Sequence, residues 1–226
     1  MTLRPQHILA LVLAVTTIAA TGDASAARAE HRLGVGAPVG VGGKFKSIEA
    51  GETSAEFDGE EANMQVSYGL FLQYEYVPIK YLAVGLRPTF LAYQTKGESE
   101  NELGRNYAVN FDLLLQLQLP FGDDDLVYVA LPVGPALTIP SNDYEDLAGV
   151  LGLEADPALA WNLSALLGVE LQGDSKDPGL FIEAGYAYQR TNYHVPGDLA
   201  GLLAVDTNAK GAFWQIGLSA GITFGL

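Results

Sequence analysis

Eight segments of this chain alternate apolar residues with small or polar ones, and a period of two is the period of a β-strand, whose successive side chains point to opposite faces. The last segment shows it most plainly. Trp214, Ile216, Leu218, Ala220, Ile222, Phe224 and Leu226 are separated by Gln215, Gly217, Ser219, Gly221, Thr223 and Gly225. The same phase runs through Leu33–Val41, Met64–Tyr76, Leu82–Phe90, Tyr107–Leu119, Val127–Ile139, Leu159–Leu171 and Leu180–Tyr188. Beyond the first twenty residues no window offers a comparable helical stripe.

The links between these segments alternate in length. Strands 2 and 3 are joined by VPIK, strands 4 and 5 by PFGDDD, and strands 6 and 7 by GDSKDPG. The links near 43–63, 95–106, 140–157 and 190–210 are long, polar and acidic. Short turns therefore gather at one end of the sheet and long loops at the other. This arrangement predicts an all-β fold, an eight-stranded antiparallel up-and-down transmembrane β-barrel.

The choice between lipid and a protein core follows from the alternate face. A soluble sandwich would expose charged residues opposite its apolar stripe, whereas here that face is Gly, Ala, Ser, Thr, Gln and Asn with few charges. Such a set suits a crowded barrel interior. Tyr74, Tyr76, Tyr107, Trp161, Tyr186, Tyr188 and Trp214 edge the apolar stripes, where interfacial aromatic girdles are expected.

The N-terminus assigns a compartment. Arg4 precedes an apolar run over residues 8–20, and small residues up to Ala26 or Ala29 suit a cleavage site, which reads as a secretory signal peptide over 1–26. The run is shorter than the about 20 residues of a spanning helix. Residues 27–226 then form one domain, since no later stretch has linker character. The chain has no cysteine, so a secreted fold must hold by burial or membrane insertion. A net charge of −15 excludes a nucleic-acid partner, which needs a basic face.

An eight-stranded interior is just wide enough for side chains to fill it. The inward glycines of the first and last strands make room for Phe71, Arg87, Leu114, Tyr128, Leu166 and Phe181, and the inward charges are Glu75, Arg87, Asp112, Glu170 and Glu183. Counting from the turns places Arg87 and Asp112 at one height on neighbouring strands, which predicts an ion pair between them. Glu75, Glu170 and Glu183 are expected nearer the turn end, within reach of water.

Motifs for chemistry are sparse. VGVGGK (39–44) partly matches a phosphate loop, but Pro38 stands in place of its first Gly and Phe45 in place of its Ser or Thr. Asn162-Leu163-Ser164 lies within a strand and is discarded as a glycosylation acceptor. His31 and His194 are expected to be solvated or interfacial, and no cluster has metal-ligand spacing. No catalytic residue, cofactor or metal is therefore expected. The acidic loops 43–63 (Glu49, Glu52, Glu56, Asp58, Glu60, Glu61) and 140–157 (Asp143, Glu145, Asp146, Glu154, Asp156) keep the surface soluble, or gather divalent cations that bridge to lipid heads.

With signal peptide, eight amphipathic strands and a C-terminal amphipathic strand, residues 31–226 resemble the small outer-membrane proteins of the OmpA/OmpX type. The resemblance implies export to the bacterial outer membrane, contact with outer-membrane lipid and lipopolysaccharide, and a terminal strand read by the barrel-assembly machinery. The chain departs from that family in ending on Leu226, with its aromatic Phe224 two places earlier. Three roles stay open: a structural or surface-interaction barrel, a narrow conduit for ions or small apolar molecules, and a lipid-A-modifying enzyme. The filled interior favours the first.

Overall fold

The computed structural model describes residues 30–50, 53–56, 62–64, 66–97, 102–121, 125–140, 158–171, 178–194 and 208–226, and all their regular elements are strands. These are β1 (Glu30–Ala50), β2 (Thr53–Glu56), β3 (Ala62–Met64), β4 (Ser67–Ile79), β5 (Leu82–Gly97), β6 (Glu102–Phe121), β7 (Asp125–Pro140), β8 (Ala158–Leu171), β9 (Gly179–His194) and β10 (Asn208–Gly225). Each long strand pairs antiparallel with its sequence neighbour, and β10 returns to pair with β1, so the sheet closes. The short β3 stands in line with β4, pairing β1 and β5 above it. The result is an eight-stranded antiparallel barrel.

The phase expected from alternation is the phase observed. Leu33, Val35, Leu70, Leu72, Leu113, Leu119, Leu163, Leu167, Ile182 and Leu218 are exposed on the outer face, while Phe71, Leu114, Tyr128 and Phe181 are buried inside. An inverted distribution of this kind, apolar outside and polar inside, is stable only against lipid. Trp214 to Phe224 on β10 is eleven residues, about 33 Å along a strand and about 25 Å in height at the tilt of such barrels. That is the height of a membrane's apolar band.

The strands run further than the sequence pattern indicates. The expected long link 95–106 shrinks to 98–101, because β5 reaches Gly97 and β6 begins at Glu102. The link 43–63 contains the end of β1, then β2 and β3; the link 190–210 yields its flanks to β9 and β10. Polar residues outside an apolar band lose the alternation, yet their backbones still pair, and the ladder extends past the stripe that reveals it.

Proline interrupts the ladder at mid-height. Paired positions jump from Gly36↔Phe71 to Val39↔Tyr68 across Pro38, from Phe71↔Thr89 to Tyr74↔Leu86 beside Pro88, and from Ala130↔Leu166 to Val133↔Leu163 across Pro132. Each proline lacks the N–H that the ladder needs.

Candidate functional site: the barrel lumen

The interior is filled in three levels. Nearest the turns, Arg32 of β1 lies opposite Glu75 of β4, and its guanidinium is 3.7 Å from the Glu170 carboxylate of β8. Glu170 also accepts a hydrogen bond of 2.6 Å from the Thr223 hydroxyl of β10. Glu75 accepts one from the Gln73 amide.

The middle level centres on Arg87. Its guanidinium donates to both oxygens of Glu183 on β9, at 2.6 and 3.0 Å, and its Nε donates to the Gln73 side-chain oxygen at 2.6 Å. Glu183 accepts two more hydrogen bonds, from the Tyr128 hydroxyl at 3.0 Å and from the Ser219 hydroxyl at 3.2 Å. A planar fork on a planar carboxylate is the strongest form of such a pair. The Arg87 guanidinium also sits 4.6 Å from the centre of the Phe71 ring, which packs at a tilt on Phe181 with centroids 5.8 Å apart. Charge, amide and aromatic rings together cross the lumen from β5 to β9.

Small inward residues make this filling possible. A Cβ on Gly36 would stand 2.4 Å from the Phe71 ring, and one on Gly168 would stand 2.2 Å from that of Tyr128. On the loop side of the middle level Asp112 accepts 2.9 Å from the Asn162 amide, and Ser67 donates 2.6 Å to Gln215. A cavity of about 80 Å³ lies here among Arg87, Thr89, Asn110, Asp112, Asn162 and Ser164.

The expected inward charges are all inside, but two expectations about them are corrected. Arg87 and Asp112 are register partners on β5 and β6, as the counting predicts, yet they are not an ion pair: Arg87 binds Glu183 across the barrel and Asp112 binds Asn162. The guanidinium is long enough to cross a narrow lumen, and Glu183 offers it both oxygens. Glu75, Glu170 and Glu183 are not open to water either, being 1%, 2% and 0% exposed. Arg32, Tyr128, Thr223 and Phe181 fill the turn end around them.

Arg32 is a second inward base, beyond the inward charges expected from the sequence. It shares the phase of Gly34 and Gly36, and it is buried like them. The polar inward set Gln73, Gln116, Gln118 and Asn162 was legible in the same way.

The aromatic residues form two rims. Tyr74 and Tyr76 are exposed at the turn end, where His31 shares a 2.7 Å hydrogen bond with the Tyr74 hydroxyl and stacks on its ring. Tyr107, Trp161, Tyr186, Tyr188 and Trp214 lie toward the loop end. Tyr186 stacks on Trp214 at 5.6 Å, and Phe90 on Tyr107 at 5.9 Å. Residues 1–29, the acidic segment 141–157 and the side chains of residues 43–63 and of His194 lie outside the described residues, and with them the expected signal peptide and the expected divalent-cation sites. Among the described residues no group of His, Cys, Asp and Glu has the arrangement of a metal site.

No family model matches the chain, and no curated protein matches it by sequence. Solved structures do. The outer membrane protein OprG from Pseudomonas aeruginosa aligns with a TM-score of 0.59 at 15% identity, covering 88% of this chain and 96% of that one. Neisserial surface protein A aligns over 86% of this chain and 96% of that one at 12% identity, with a TM-score of 0.44. The likeness to OprG, together with the closed sheet, gives this chain the fold of the small eight-stranded outer-membrane barrels.

Proposed function

We propose that the chain is an integral outer-membrane β-barrel whose lumen is closed by its own side chains and whose role is structural or surface-interacting, without an enzymatic site. One observation carries this reading: the Arg87–Glu183 bridge, flanked by Gln73, Tyr128, Phe71 and Phe181, fills the cross-section at mid-height. A side-chain plug of this kind stiffens the barrel and leaves the loops as the surface for partners. Lipopolysaccharide and outer-membrane lipid would surround the apolar band. The barrel-assembly machinery would receive the chain through its amphipathic last strand after export. Divalent cations at the acidic loops are part of the same reading, resting on their carboxylate density alone.

The polar lining and the cavity above the plug support a second reading, a narrow conduit for ions or small apolar molecules. Planar-bilayer recording of the purified protein separates the two. Absence of unitary conductance in the wild type supports the closed barrel; steady openings support the conduit, with Arg87 as its constriction. A lipid-A-modifying activity would appear as a change in lipid A mass on deleting the gene, and none is expected.

A further inference from the structure

We infer that the mid-lumen cavity beside Asp112 is a binding site for a monovalent alkali cation. The charge balance comes first. Among the described residues the lumen holds four carboxylates, Glu75, Asp112, Glu170 and Glu183, and two guanidiniums, Arg32 and Arg87. Arg87 is committed to Glu183 by two hydrogen bonds, and Arg32 stands against Glu170. Asp112 has no such bridge; its one hydrogen bond comes from the neutral Asn162 amide. A carboxylate 2% exposed and solvated only by an amide needs a further counter-charge.

The cavity supplies the place for one. Asp112 and Asn110 both line it, both are 2% exposed, and each has a side-chain oxygen, Oδ1, with no hydrogen-bond partner. Both orphaned atoms are oxygens, and Thr89, Ser164 and Ser67 add hydroxyls to the same wall. A set of hard oxygens selects an alkali or alkaline-earth ion over a transition metal. One carboxylate, with Arg87 on the adjacent strand, matches a single positive charge better than two. A volume of about 80 Å³ admits such an ion with a few waters. The site requires no flow of ions and holds under either reading of the lumen.

The test uses the refolded barrel in micelles, with unfolding followed in urea at constant ionic strength in NaCl, KCl or choline chloride, whose cation is too large for the cavity. A ligand of the folded state present at ten times its dissociation constant raises the folding equilibrium constant about elevenfold. The wild type should therefore unfold at higher urea in NaCl or KCl than in choline chloride. Asp112→Asn should erase that difference, and Asn110→Ala should shrink it. Glu75→Gln, which removes a lumen carboxylate that does not line the cavity, should keep it. Independently of any variant, the wild type should broaden the sodium-23 resonance, and potassium should reverse the broadening. Equal stability of the wild type in all three salts, no broadening, or loss of the effect in Glu75→Gln with its retention in Asp112→Asn would each overturn the assignment.

Discussion

Arg87 on β5 and Glu183 on β9 are joined by two hydrogen bonds of 3.0 and 2.6 Å through the centre of the barrel, and both are more than nine-tenths buried. This bridge ties strands on opposite walls. Removing either partner leaves the other charged and unpaired in the lumen, at a cost of about 3–5 kcal/mol. Arg87→Ala and Glu183→Ala should each lower the urea midpoint in vesicles, and the double variant should cost clearly less than the sum of the two. The same cycle between Arg87 and Asp112 should show the smaller coupling, since Asp112 is held by Asn162. A larger coupling to Asp112 would contradict the bridge.

The glycines of the lumen predict a steric effect. Gly168→Ala places a methyl group against the Tyr128 ring and pushes its hydroxyl off Glu183. Overpacking of this sort costs about 1–3 kcal/mol. Tyr128→Phe alone removes a hydrogen bond to a charged acceptor, worth about 1.5–3 kcal/mol. Because both act on one contact, the Gly168→Ala/Tyr128→Phe pair should fall short of additivity in equilibrium unfolding.

Depth on the lipid face sets the cost of a charge. Leu115 and Leu131 are register partners in the middle of the apolar band, and Leu167 lies one step nearer the turns, level with Leu117 and Val129. Arg at Leu115 or Leu131 should cost about 2–4 kcal/mol on folding into vesicles, while Arg at Leu171, at the turn end of β8, should cost about 0–1 kcal/mol. A flat profile across these positions would displace the membrane band.

Trp161 and Trp214 are the two tryptophans of the chain, and both lie on the outer face toward the loop end. Their emission should shift to the blue on insertion and should be quenched more by lipids brominated close to the headgroup than by lipids brominated at the chain end. The opposite order would place that rim at the bilayer centre.

The sequence by itself determined which residues face lipid and which face inward, from Leu33 on the first strand to Phe224 on the last. That information is local: alternate side chains of an extended strand fall on opposite faces, and only one face is apolar. It also determined level, since counting up from the short-turn ends of the two neighbouring strands puts Arg87 beside Asp112. Tertiary structure decided which inward groups meet. Glu183 lies 96 positions from Arg87 and four strands away, and it comes within 2.6 Å only because the closed sheet folds the far wall back across a narrow lumen. The burial of Glu75 and Glu170 was decided in the same way, by side chains such as Arg32 and Thr223 converging from other walls. Alternation records the side of the sheet on which a residue lies; closure, stagger and side-chain length fix its partner.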